Sequence, residues 1–127
     1  MKKFLVVGNP IEHSLSPELH NYWIRNNNIN AIYEKQKLNK DQLGQFISQV
    51  KDNKINGINV TVPFKKIVIP YLDELSPDAQ STQSVNTIYK KNNKVIGHNT
   101  DIFGFKASIE KAKYNLNNKE VLILGAG

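Results

Sequence analysis

Two hydrophobic rhythms take turns along this chain: short apolar or alternating runs of strand length, and longer stretches in which apolar residues recur every three or four positions. Residues 4–8, Phe-Leu-Val-Val-Gly, read as a buried strand, and turn-forming residues fill 9–15. Ser16-Pro17-Glu18 has the form of a helix start, with Ser16 as N-cap, proline at the first helical position and an acid in the first turn, and predicts a helix to about residue 27. Residues 31–38 predict a weakly patterned strand. Asn39 to Gln42 resembles a capping box, after which Leu43, Phe46, Ile47 and Val50 fall on one helical stripe. Residues 58–62 alternate strictly, with Ile58, Val60 and Val62 on one face and Asn59 and Thr61 on the other, and Pro63 ends the run.

Beyond it the pattern predicts a short helical stretch over 65–72 and a further turn or helix start at Ser76-Pro77. Residues 84–90 and 94–99 flank Lys91-Asn92-Asn93 as the two arms of a hairpin. Thr100 is the expected cap of a helix over 101–113 with Ile102, Phe105, Ile109 and Ala112 inward, and a loop over 115–119 leads to an apolar strand over 120–124. Strands alternating with helices imply an α/β architecture: three layers, with a mainly parallel, mixed sheet flanked by helices.

Composition changes this picture little. The length of 127 residues, with 39% hydrophobic and 22% charged residues, fits one soluble domain with one modest core. No apolar run approaches the ~20 residues of a membrane span. Met1 to Gly8 is charged and then apolar, but too short for a signal peptide, and Asn9-Pro10 stands where a small-residue cleavage site would be expected. Cysteine is absent, which excludes disulfides and thiolate metal sites and makes the cytoplasm the default location. The net charge of +6 comes from scattered lysines, and Arg25 is the single arginine, so a nucleic-acid surface is disfavoured. Asparagine is as abundant as lysine and arginine combined. The positive balance favours an anionic small substrate.

Four segments carry chemistry. Val121 to Gly127 reads as a buried strand running into Gly-Ala-Gly, a turn that lets backbone amides approach a pyrophosphate, or simply a flexible glycine end. Ser14 and Ser16 beside a helix N-terminus suit a carboxylate; the plain alternative is a turn serine and a cap. His13 and His20 lack a third ligand at a recognised spacing, so no metal site is expected. Asn59 and Thr61 share the polar face of a strand with Lys65 just past its end, where ligands gather in open α/β sheets; the plain alternative is a solvated face and a surface lysine. Asn86 offers both donor and acceptor, and Asp101 lies in the first turn of a helix whose dipole favours its ionised form, so a plain helix-end carboxylate is the alternative there.

Taken together, GNPIEHSLSPELHN at 8–21, NVTVPFK at 59–65, VNT at 85–87, GHNTDIFG at 97–104 and Gly125-Ala126-Gly127 resemble the shikimate dehydrogenase family over the whole chain, in order. The resemblance implies a shikimate-binding catalytic domain over 1–100, a connecting helix and loop over 101–119, and the start of a truncated NADP-binding Rossmann domain over 120–127. It also implies that Ser14 and Ser16 bind the shikimate carboxylate, and that Asn59, Thr61, Asn86 and Asp101 contact the ring hydroxyls or support their neighbours. By the same resemblance, Lys65 is the catalytic residue, paired with Asp101, and Gly125, Ala126 and Gly127 begin the NADP loop. Gln83-Ser84 departs from the family, which usually has Gly-Ala there. The reaction implied interconverts 3-dehydroshikimate and shikimate with NADP(H). An NAD-accepting quinate/shikimate dehydrogenase and a non-catalytic binder of shikimate-like carboxylates are the competing readings. The chain alone is expected to fold, to bind shikimate weakly if at all, and to turn nothing over, and its terminal strand to be disordered or to pair with a second copy.

Overall fold

The computed structural model describes residues 1–125. Six strands form one sheet in the order β2-β1-β3-β5-β6-β4. β1 (Lys2–Gly8) lies parallel to both β2 (Ala31–Lys37) and β3 (Gly57–Val60). β5 (Thr87–Lys91) joins β3 antiparallel, β6 (Lys94–His98) pairs antiparallel with β5, and the two-residue β4 (Glu74–Leu75) runs parallel to β6. The mixed, helix-flanked sheet is the architecture read from the sequence.

Alternation along β1 divides the core between the two faces of the sheet. Leu5 and Val7 point to the larger side, where Ile58, Val60, Phe64, Val68, Val85 and Ile88 meet Leu43, Ile47 and Val50 of α2 (Leu43–Lys51). Val6 joins Ile11 and Tyr33 on the other side, with Phe4 and Ile24 packed against them; Ile24 belongs to α1 (Ser16–Asn26). α1 has no fully buried residue, so side-chain hydrogen bonds carry much of its docking: Asn21 Nδ2 donates to Tyr33 O at 2.7 Å and Asn21 Oδ1 accepts from Tyr33 N–H at 3.0 Å. That exchange also occupies the free edge of β2.

Several local readings change. Ser16 is the first residue of α1, not its cap; Leu15 holds that position, and Ser14 Oγ accepts from Ser16 N–H at 3.3 Å. β3 stops at Val60, so Val62 does not share the buried face of Ile58 and Val60 but stands 65% exposed. The stretch after Lys65 winds as turns into a 3₁₀ segment at Ile69–Tyr71 rather than an α-helix. β4 is too short to register as a pattern, whereas Ser76 caps α3 (Pro77–Thr82) by accepting from Ala79 N–H at 3.3 Å. Thr100 occupies the N-cap position of α4 (Asp101–Lys111) but its side chain makes no cap bond; the buried Asn99 supplies it, its Oδ1 accepting from Asp101 N–H at 2.8 Å and Ile102 N–H at 3.3 Å.

α4 buries no residue, and the expected inward face is open, with Phe105 as exposed as its neighbour Phe103, at 73% each. Its apolar stripe needs a second surface that the described residues do not supply. Residues 120–124 form no strand either, because an apolar run becomes one only when neighbouring backbone takes up its N–H and C=O groups. Among the described residues no helix is long and apolar enough to cross a membrane.

Candidate active site

Three of the segments singled out in the sequence, the serine loop, the end of β3 with Lys65, and Asn86 with Asp101, lie at the C-terminal ends of β1 and β3 and the N-termini of α1 and α4. Close packing builds the first part. A Cβ on Gly8 would stand 2.6 Å from Thr61 Cγ2, so only glycine lets Thr61 settle against the end of β1. There Thr61 N–H donates to Val7 O at 2.9 Å and Asn9 N–H to Val62 O at 3.0 Å, which extends the pairing beyond β3. Ser14, Ser16, His13 and Thr61 then line an open pocket of about 270 Å³ floored by Val6 and Ile11.

The serine loop is tied to β2 through Glu12. Its carboxylate accepts from Ile11 N–H and from Lys37 Nζ, each at 3.0 Å, and its carbonyl accepts from Lys35 Nζ. Hydrogen bonds from its own backbone N–H and from Lys37 hold the Glu12 carboxyl down at about 2. With Ser14 N–H also bound to Ile11 O at 3.1 Å, Ser14 and Ser16 are held at the mouth of α1. The Ser16 hydroxyl is not used as a helix cap.

The second part is a hydrogen-bonded triad. Lys65 Nζ lies 2.7 Å from Asp101 Oδ2, and the other carboxylate oxygen accepts from Asn86 Nδ2 at 3.0 Å. Asn86 Nδ2 also reaches Thr100 Oγ1 at 2.8 Å, and Asn86 Oδ1 accepts from Thr100 N–H at 3.0 Å. Lys65 is fixed from behind, since its carbonyl accepts from Val85 N–H at 2.7 Å. The lysine and aspartate side chains remain 34% and 54% exposed, so the pair is open to a ligand. Exposed pairs of this kind add ~1 kcal/mol or less to stability.

Asn59 is set back from both parts. Its side chain meets Tyr33, Thr87 and the carbonyl of Asn86, so it supports Asn86. His20 stacks on Tyr33, with ring centroids 4.1 Å apart, as a helix-packing residue. No cluster of three or more histidine, aspartate or glutamate side chains suited to a metal occurs among the described residues. Sequence reading missed Asn99, which is 2% exposed and also donates to Ser84 O at 2.9 Å. It pins the backbone from which Asp101 projects. Gly125 takes a positive φ of 93°, compatible with a glycine turn; Ala126 and Gly127, the rest of the expected cofactor loop, lie outside the described residues.

A profile of the shikimate dehydrogenase substrate binding domain matches residues 6–88. The chain belongs to this family. The shikimate dehydrogenase (NADP(+)) of Pelagibacter ubique is 60% identical over 126 residues, covering 99% of this chain and 48% of its own length. That of Lactococcus lactis subsp. lactis is 42% identical over 120 residues, covering 94% and 42% respectively. The crystal structure of shikimate 5-dehydrogenase from Thermus thermophilus in complex with shikimate superposes with a TM-score of 0.85 at 30% identity, over 94% of this chain and 46% of that one. The shikimate 5-dehydrogenase of Listeria monocytogenes in complex with shikimate and NAD gives 0.85 at 28% identity, over 91% and 40%. The chain thus spans about half the length of the curated shikimate dehydrogenases it matches.

Proposed function

We infer that this domain binds shikimate and 3-dehydroshikimate for an NADP-dependent shikimate dehydrogenase of chorismate and aromatic amino-acid biosynthesis. The observation that carries the reading is the contact of Lys65 Nζ with Asp101 Oδ2 at 2.7 Å while Asn86 holds the other carboxylate oxygen. In this reading Ser14 and Ser16 take the substrate carboxylate, with hydroxyl donors and the positive end of α1 both favouring an anion. Thr61, Asn86 and Asp101 face the ring hydroxyls.

When a ring ketone is reduced at carbon, negative charge develops on its oxygen. The Lys65 ammonium is the group available to protonate that oxygen, and in the reverse direction the neutral amine takes the proton back. Asp101 keeps the amine oriented throughout. A dinucleotide, when bound, supplies the hydride, and the chain spans about half the length of the NADP(+) enzymes it matches. Residues 1–125 are therefore assigned the substrate and proton side of the reaction, and are expected to show no turnover by themselves. The lysine–carboxylate pair favours this reading over a non-catalytic carboxylate binder, which has no use for a proton relay.

Titrating shikimate into the ¹⁵N-labelled chain tests the assignment. Signals of Ser14, Ser16, Thr61, Lys65, Asn86 and Asp101 are expected to move together. Saturable shifts confined to other residues, or the same response to an unrelated carboxylate such as benzoate, would overturn it.

A further inference from the structure

We propose that Tyr33, which lies outside the Lys65–Asp101–Asn86 triad, is the positioning residue that holds Asn86 in its working orientation. The proposal rests on the shikimate-site reading above, and on a hydrogen-bonded line that runs through the sheet from α1 to the lysine.

Tyr33 is 4% exposed and held from three directions. Its backbone N–H and carbonyl are both taken by Asn21, at 3.0 and 2.7 Å, and its ring lies flat against His20, 3° from parallel. The phenol therefore has one place to point, and its hydroxyl donates to Asn59 Oδ1 at 2.6 Å. Burial pushes its pKa upward, so the hydroxyl keeps its proton.

With its oxygen committed to the phenol, Asn59 turns its Nδ2 toward Asn86 O at 3.3 Å and Thr87 Oγ1 at 3.2 Å. The Thr87 hydroxyl, accepting there, donates to Asn86 Oδ1 at 3.0 Å. Asn86 Oδ1 also receives Thr100 N–H, so its Nδ2 is left for Thr100 Oγ1 and Asp101 Oδ1. The line ends on the Asp101 carboxylate, which can only accept from it. A donor at one end and an obligate acceptor at the other give every amide between them a single polarity. Either asparagine could flip in isolation, but within the line a flip would set the Asn59 amide oxygen against the Asn86 carbonyl, or that of Asn86 against the Asp101 carboxylate. A phenol that merely satisfied its own hydroxyl in the core would have no effect beyond Asn59.

Tyr33→Phe keeps the ring and its stack while removing the donor, and Thr87→Val breaks the line at its middle by an independent route. In the ¹⁵N-labelled chain, the side-chain amide signals of Asn59 and Asn86 are both expected to move in Tyr33→Phe, and those of Asn86 again in Thr87→Val. Loss of one ordering hydrogen bond is expected to weaken shikimate binding about five- to tenfold in each variant. Movement of the Asn59 signals with those of Asn86 left at their wild-type positions would overturn the proposal. Thr87→Val carries the test by itself if Tyr33→Phe does not fold, and unmoved Asn86 signals there would overturn it equally. Movement of both amides in a chain that gives no response to shikimate would uphold the positioning line and remove the shikimate reading instead.

Discussion

Lys65 reaches Asp101 at 2.7 Å across 36 residues of sequence, from a turn anchored by Val85 and toward a helix end anchored by Asn99. Both partners are fixed from behind and open in front, an arrangement that contributes little to stability and presents the ammonium to a ligand. Grafting residues 1–125 in place of the matching half of the Pelagibacter ubique relative gives an assayable enzyme. There Lys65→Met is expected to lower kcat ~10²–10⁴-fold with little change in shikimate affinity. Asp101→Asn is expected to lower both kcat and affinity. Steady-state kinetics checks both, and a melting temperature that falls while kinetics stay normal would reduce Asp101 to a helix-end carboxylate.

The free hydroxyl of Ser16 and its neighbour Ser14 make a different prediction. Binding of a remote carboxylate is nearly the same in ground and transition states, so its loss is read in KM. In the same graft Ser14→Ala and Ser16→Ala are each expected to raise KM for shikimate ~10–100-fold, as suits a hydrogen bond to a charged group worth ~1.5–3 kcal/mol, with kcat falling far less. Unchanged KM in both variants would leave these serines as turn formers.

Gln83 explains its own departure from the family pattern. It stands at the C-terminus of α3 with φ 50° and ψ 38°, the left-handed conformation in which glycine is free of strain. The backbone is thus the one glycine would adopt, and the side chain tolerates it by donating from Nε2 to Gln80 O at 2.7 Å. Gln83→Gly is expected to stabilise the chain by ~0.5–1 kcal/mol, after allowance for that lost contact. Urea unfolding measures it, and a destabilised variant would show the side-chain bond to outweigh the strain.

Burial lowers the pKa of His20, whose ring is sandwiched against Tyr33 and edge-on to Trp23. Its neutral form is favoured in the folded chain, so the unfolded chain binds the proton more readily. The resulting contribution to stability is complete above the ordinary histidine value of ~6.5 and is lost as pH falls through the lowered folded value. His20→Phe, which keeps a flat ring against Tyr33, is expected to unfold with a shallower loss of melting temperature than the wild type between about pH 7 and 5. Equal slopes would show that acid acts elsewhere.

The sequence made the alternation of strands and helices legible because β1 is a short apolar run while β3 and α2 carry hydrophobic periods, and it placed the serine loop, Lys65, Asn86 and Asp101 at element ends. It could not separate adjacent residues with equal local claims. Asn99 and Thr100 are both good helix caps, and the choice falls to Asn99 because its amide also satisfies Ser84 O inside the fold. Leu15 displaces Ser16 at the start of α1 because the Ser14 hydroxyl takes the Ser16 N–H. Val62 breaks the alternation of β3 because the chain turns there toward Lys65. The stripe on α4 was read correctly as apolar and wrongly as buried, since periodicity says which face is greasy and not whether anything covers it.

The β5–β6 hairpin reverses at Asn92 and Asn93, both at positive φ, while its open end delivers Asn86 and Asn99 to the triad. Five strand residues on each arm, ~17 Å, separate that reversal from the chemistry. The same rail that fixes the triad therefore keeps its far end mechanically quiet. An epitope or fluorophore carried between Asn92 and Asn93 would ride on the domain as a reporter, leaving the proton-handling end undisturbed.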